Sequence, residues 1–409
     1  MTGLTFLRDN GRWLAFGYLL TFFSGFGQTF FIALFGGEFR AEFGLTHGEF
    51  GLIYMLATLA SAALLPLVGQ SVDHYQIRSV AVWVVIGLSI FCFAMAGAQA
   101  AWMLFPIIFG LRLCGQGMMS HTAMTAMGRW FVARRGRAVA FAMLGLPTAE
   151  ALLPLSFVAL SSWAGWRFAW MAAAALLVIV ALPAVLLLLK SDRHPKGASS
   201  DGEMAAGRHW TRAEVVRDPL FWMVCAGILA PPFIGTAIMF HQVYLVELRG
   251  WSLELFASAF IVMAAVSVLS SLVMGSLIDR FSASRLLPLV LVPITLGCLV
   301  LAVLHDPIAA YLFMALLGLS NGSTFTLIGA IWPEVYGTRH VGAIRSVAFA
   351  LIVFASAAGP GVMGGLIDAN VSYDVQLALM SLYCLAVTGL LTLVSRKFGL
   401  RLFVGDTRI

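Results

Sequence analysis

Twelve runs of about 20 predominantly apolar residues constrain this chain before any motif is considered. They cover approximately 13–35, 50–69, 79–98, 102–127, 138–160, 168–189, 220–246, 255–277, 286–304, 309–332, 343–367 and 375–395. Each matches the ~30 Å hydrocarbon core of a bilayer at a rise of ~1.5 Å per helical residue. Lipid offers no partner to open backbone N–H and C=O groups, so every run is expected to be a helix. Composition agrees, since 61% hydrophobic and 11% charged residues exclude an ordinary soluble domain. The expected fold class is an all-α membrane protein with twelve transmembrane helices.

The cations orient the spans. With the N-terminus inside, the cytoplasmic segments carry 21 of the 25 Lys and Arg, and the outer loops carry only Arg40, Arg167 and Arg249. That bias places both termini in the cytoplasm and the chain in an inner or plasma membrane. No cleavable leader is read at the start, so Met1 to Trp13 is taken as retained. The net charge of +6 is a topology signal, and no nucleic-acid partner is expected. Residues 191–218 form a polar, Gly/Ser-containing linker between an N-terminal bundle (1–190) and a C-terminal bundle (219–409). They contain no phosphate-binding loop, which excludes an ATP-driven motor within this chain. The five cysteines lie in apolar spans without ligand-like spacing, so neither a metal nor any other cofactor is expected.

The halves repeat. Gly69 and Asp73 end the second span as Gly275 and Asp279 end the eighth, at an offset of 206 residues. The same offset relates Gly136 to Gly342 and Pro154 to Pro360. A shared register points to a duplicated six-helix unit.

With these residues in view the chain resembles the major facilitator superfamily, through the Gly-x-x-x-Asp-Arg loop signature after spans two and eight. The resemblance covers all twelve spans and implies two pseudo-symmetric six-helix bundles. The second copy keeps Gly275, Asp279 and Arg280; the first keeps Gly69, Asp73 and Arg78, with His74 where a basic residue is usual. The implied role is a cytoplasmic gate of Asp73, Arg78, Arg134, Arg135, Asp279, Arg280 and Arg339. Arg129-Trp-Phe-x-x-Arg134-Arg135-Gly136 resembles the bacterial monocarboxylate-porter-like branch, although no Asp or Arg lies within the eighth span. The drug-antiporter signature is missing from span five, where Gly145-Leu-Pro147-Thr-Ala-Glu150 stands, which puts efflux second to uptake.

Arg112 and Glu150 are the formal charges expected inside the membrane, each near mid-span. A charge at that depth costs about 2.5–3.5 kcal/mol on the insertion scale. Arg112-Leu-Cys-Gly-Gln116-Gly is close to the family's Arg-x-x-Gln-Gly motif, which implies a part in coupling proton movement to transport. Glu150 is the expected partner, either as a proton carrier or in a fixed ion pair. Apolar surroundings favour a neutral carboxylic acid and a nearby arginine favours the carboxylate, so alternation between the two can load and release a proton.

The resembled fold puts spans 1, 4, 7 and 10 around the substrate. Phe26, Gln28, Phe30, Gln116, Phe240, His241, Tyr244 and Asn321 are the expected cavity residues, the amides because an unpartnered amide at mid-membrane is expensive. Pro231-Pro232 is expected to break span seven. A free Arg112 would suit a small organic anion; an Arg112 tied to Glu150 would suit a neutral planar solute such as a riboflavin-type vitamin. The expected function is secondary active transport of a small organic solute by alternating access, coupled to protons and carried out by a monomer. A transporter-like sensor is the reading of another class, and no nucleophile–base or metal constellation suggests an enzyme.

Overall fold

The computed structural model describes residues 3–131, 135–190, 210–337 and 339–406, with side chains over 10–131, 136–190, 210–337 and 339–400. No strand occurs among the described residues. The apolar runs are helices, as expected. In chain order the spans are α1 (Asn10–Gly27 with Thr29–Phe43), α2 (His47–His74), α3 (Ile77–Ala96), α4 (Ala101–Trp130), α5 (Gly136–Ala164) and α6 (Trp166–Leu188). The second set is α7 (Pro219–Phe240), α8 (Leu253–Phe281), α9 (Ala283–Val303), α10 (Ile308–Tyr336), α11 (Val341–Asp368) and α12 (Tyr373–Leu400).

The repeat persists in backbone detail. Gly44 (φ 64°) and Gly250 (φ 65°) both take the left-handed conformation that ends a helix, which only glycine adopts without steric cost. Two residues on, Thr46 and Ser252 cap α2 and α8, each side-chain oxygen accepting a backbone N–H, from Glu49 and Leu255 respectively. Glu49 completes a capping box by accepting from the Thr46 N–H. Leu255 holds that place in the second half, so only one copy is boxed.

The chain forms two compact units. The first is residues 1–201 with Met239–Tyr244; the second is Gly202–Ile238 with Leu245–Ile409. A boundary drawn in sequence order leaves 239–244 in the second bundle, whereas the fold packs this stretch with the first. Span seven runs helically through Pro231 and Pro232 and breaks instead at His241, before a short helix, Gln242–Arg249. Residues 191–209 of the expected linker lie outside the described residues. Its last part is a one-turn helix, Arg212–Arg217, with a Thr211–Glu214 capping box.

Each unit has its own core logic. In the first, Phe26, Phe31, Phe35, Phe157 and Trp170 stack edge to face or tilted, with centroids 4.9 to 5.5 Å apart for Phe31–Phe157, Phe26–Phe31, Phe31–Trp170, Phe35–Trp170 and Phe26–Phe157. In the second, α10 lies against α8 through Gly318 and Gly322. A Cβ on Gly318 would strike the Met263 carbonyl, and one on Gly322 the Ser267 carbonyl and Ser270 hydroxyl. Small residues four apart permit this backbone-on-backbone approach.

An arginine clamps one end of each unit. Arg167, at the start of α6, pairs with Glu42 at the end of α1 and donates to the Ala96 carbonyl at 2.7 Å. Arg249, after α7, pairs with Asp374 at the start of α12 and donates to the Leu301 carbonyl at 2.7 Å. The acid and base have changed places: position 42 corresponds to 249 and 167 to 374, an offset of 207 in each case.

Candidate substrate and proton site

The site begins with a break in α1. Gly25 and Gly27 flank Phe26, and each weakens a helix by about 1 kcal/mol relative to alanine. At Gln28 the backbone turns extended (φ −87°, ψ 156°), and the helix restarts with the Phe31 and Ile32 N–H groups on the Gln28 carbonyl. The two segments meet at 41°. Tertiary packing makes glycine necessary here, because a Cβ on Gly27 would run into the Leu111 carbonyl and lie 2.7 Å from the Gly115 Cα. Opposite the break, Arg112–Met119 of α4 winds as a π-helix, a geometry frequent at functional sites.

Arg112 is brought to the carbonyl that the break releases. It is 2% exposed, and its Nη1 donates to the Gly27 carbonyl and the Thr29 hydroxyl, both at 3.3 Å. Its guanidinium carbon stands 5.3 Å from the centre of the Tyr54 ring, within cation–π range. The Tyr54 hydroxyl bonds Thr29 Oγ1 at 2.6 Å. The C-terminal end of a helix carries partial negative charge and favours a cation beside it. None of these partners is a carboxylate. Nε is buried without a hydrogen-bond partner, and Nη2 makes none among the described residues.

The expected Arg112–Glu150 pair is not formed. Glu150 lies on α5, partly buried, with neither hydrogen bond nor ion pair among the described residues. Sequence spacing set the depth of both charges but not the rotation of two helices about their axes. Tyr54, Thr29 and the Gly27 carbonyl are the partners that sequence reasoning missed. Thr29 adjoins Gln28 and could have been found there; Tyr54 carries no local signal.

The other expected cavity residues divide. Phe26 is fully buried in the aromatic core and Phe30 is 3% exposed, so packing takes both. Phe240, His241 and Tyr244 belong to the first unit. Phe240 stacks 4.9 Å from Phe50 and sits 4.7 Å from Tyr54; Tyr244 is 4.5 Å from His47, and His241 is 4% exposed rather than solvated. Between them Gln242 Nε2 donates to the Phe30 carbonyl at 3.2 Å. Gln28 and Gln116 in the first unit, and Asn321 in the second, are partly buried with no side-chain hydrogen bond among the described residues. An apolar cavity lined by Asp218, Leu220, Met223, Lys397 and Leu400 lies in the second unit and shares no residue with this site.

At the opposite end of the first unit, Asp73 pairs with Arg129, which also donates to the Val72 carbonyl at 2.7 Å. Arg129 was not among the expected gate residues, although it opens the basic loop. Arg78 is exposed with no ion pair among the described residues, and Arg134 and the Arg135 side chain lie outside them. In the second unit Asp279 has no ion pair among the described residues, Arg280 lies 5.3 Å from the Phe281 ring, and Arg339 is exposed on a turn. Glu334, at the end of α10, instead accepts the Ala283 and Ser284 N–H groups at 2.7 and 3.0 Å.

A family model described as Major Facilitator Superfamily matches residues 17–360. An MFS-type efflux pump of Mycolicibacterium smegmatis is 29% identical over 265 residues, 62% of this chain and 60% of that protein. The match thus spans less than two thirds of the relative's length. Among solved structures, a bacterial homologue of the human lysosomal transporter Spinster superposes with a TM-score of 0.71 at 16% identity, covering 95% of this chain and 97% of that one. The nucleoside transporter NupG superposes with a TM-score of 0.66 at 14% identity, covering 95% and 97%. At these identities the likeness is one of fold.

Proposed function

This chain belongs to the Major Facilitator Superfamily, and on that premise we propose that it is a proton-coupled secondary transporter of a small organic solute, working by alternating access as a monomer. One observation carries the reading. Arg112 and Glu150 lie inside spans of one unit, and neither has a counter-ion among the described residues. Two uncompensated charges inside a membrane are costly, and the cost is relieved when a proton joins the carboxylate or an anion joins the guanidinium. Arrival or departure of either partner then biases which conformation is favoured. The arginine bias supports an inner or plasma membrane location with both termini cytoplasmic.

The direction has two readings. Symport into the cell is the one expected from the missing antiporter signature in span five. Proton-driven export is favoured by the mycobacterial relative, which is an efflux pump. The test starts with a thermal-stability screen over carboxylates, amino acids, vitamins and drugs, because a bound solute raises apparent stability. The hit is then followed in proteoliposomes under an imposed pH gradient. Wild type is expected to move it against its concentration gradient and to stop when a protonophore is added. Glu150→Gln is expected to exchange solute without accumulating it; uncoupler-sensitive accumulation by this variant would remove Glu150 as the proton carrier. The sign of movement separates uptake from export.

A further inference from the structure

We propose that the groove between the start of α7 and the end of α12 holds an anionic glycerophospholipid. An acyl chain lies on its apolar floor, and the phosphate sits among Arg217, Arg396 and Lys397 at its rim. The site is separate from the one around Arg112 and does not depend on what the chain carries or in which direction.

The floor fits hydrocarbon. The groove has a volume of about 320 Å³ and is lined by Asp218, Pro219, Leu220, Met223, Lys397 and Leu400. Pro219 opens α7 and Leu400 closes α12, so the groove lies where the apolar length of two spans gives way to polar chain. Leu400 is 65% exposed there, apolar surface that lipid covers better than water does. One turn into α7, Trp222 is also exposed, and its indole N–H donates to the Val216 carbonyl at 2.8 Å. An apolar ring with a satisfied polar edge is what collects at the boundary of a bilayer.

The rim fits a negative headgroup. Lys397 lines the groove itself, and a long lysine can lay its methylenes on apolar surface while its ammonium stays at the edge. Arg396 precedes Lys397, and Arg217 precedes Asp218, so each arginine starts one Cα step, ~3.8 Å, from a lining residue. All three cations are exposed, with neither ion pair nor side-chain hydrogen bond among the described residues. The nearby acids are already engaged. Asp218 accepts the Leu220 N–H at 3.1 Å and the Tyr336 hydroxyl at 3.0 Å, and Glu214 closes the capping box with Thr211. Over 212–218 and 396–397, four cations stand against these two acids, which leaves the rim positive. Cations gathered at the end of a span in this way attract anionic headgroups. A soluble phosphate ester would meet them but leave the floor bare, and a choline lipid would bring a cation of its own.

The test is native mass spectrometry of the purified full-length chain in detergent, titrated with phosphatidylglycerol or with phosphatidylcholine of the same acyl chains. Phosphatidylglycerol is expected to fill one site tighter than the rest, phosphatidylcholine to fill none, and excess glycerol phosphate not to displace the lipid. The triple variant Arg217→Gln, Arg396→Gln, Lys397→Gln is expected to weaken that site by roughly 100-fold, at about fivefold per cation. A control removes three other exposed cations, Arg137→Gln, Lys190→Gln and Arg285→Gln, and so the same net charge; it is expected to keep the site. Met223→Trp leaves every cation in place but fills the floor, and is expected to weaken phosphatidylglycerol binding as well. Equal binding of the two lipids, equal losses in the two triple variants, or displacement by glycerol phosphate would each overturn the proposal. Should the first triple variant fail to fold, Met223→Trp and the wild-type comparison of the two lipids decide.

Discussion

Set side by side at an offset of 206, the two halves show what duplication keeps and what it releases. Arg112 corresponds to Gly318, Gln28 to Ile234, Thr29 to Gly235 and Tyr54 to Phe260. Every polar member of the Arg112 neighbourhood has an apolar or glycine counterpart. Where the first half opens a helix and seats a guanidinium, the second lays one backbone on another, with the Ser270 hydroxyl donating to the Gly318 carbonyl at 3.3 Å. The difference teaches a division of labour: one bundle holds charge and the other holds a close-packed helix pair. The joins themselves are shared, but by function rather than by residue. Asp73–Arg129 ties α2 to α4 with an ion pair, and Glu334 ties α10 to the start of α9 by accepting two backbone N–H groups.

The comparison breaks most visibly if one half is given the other's residue. Gly318→Arg drives a side chain into the Met263 carbonyl, and a loss of about 4 kcal/mol or more is expected, read as failure to yield a monodisperse protein. Next in size is Arg249→Ala. The Arg249 side chain is 4% exposed; its removal leaves Asp374 with only His305 at 3.9 Å and takes a donor from the Leu301 carbonyl. About 3 kcal/mol is expected from the thermal unfolding midpoint, at the low end for a buried pair because Asp374 is 38% exposed. Exchanging the pair, Arg249→Asp with Asp374→Arg, is expected to recover most of that loss.

Smaller effects sharpen the contrast. Tyr54→Phe gives the first half the ring of Phe260 and deletes the hydrogen bond to Thr29. A loss of about 1 kcal/mol is expected in the thermal unfolding midpoint, with the ring still over Arg112. Smallest is Arg167→Ala. Its side chain and that of Glu42 are 36% and 38% exposed, so roughly 0.5–1 kcal/mol is expected, shrinking further in high salt. Equal losses for Arg167→Ala and Arg249→Ala would show that the two clamps are equivalent after all.

Hydropathy made the spans legible because lipid allows an apolar run almost no alternative to a helix. The repeat was legible because Gly69, Asp73, Gly136 and Pro154 recur at one offset, and the matching left-handed turns at Gly44 and Gly250 add to it from the backbone. The site was half legible. Arg112 stood out by its cost, but its partners did not, since a carbonyl released by a helix break has no letter in the sequence. The break belongs to the pair Gly27 and Gly115, 88 positions apart, and to neither alone. The phenylalanines expected at the cavity were harder to read, because a position on a helix does not say what that side chain meets. Phe26 meets Phe157 and Phe31.

The exchanged polarity of the two arginine clamps also bears on how such a chain assembles. A duplicated protein risks sending a helix of one half to its counterpart's berth in the other. Were α6 to settle where α12 belongs, Arg167 would face Arg249; were α12 to take the place of α6, Asp374 would face Glu42. Like charges in contact penalise both errors, whereas identical clamps would have tolerated them. By that logic the swap would act as a sorting label between two look-alike halves.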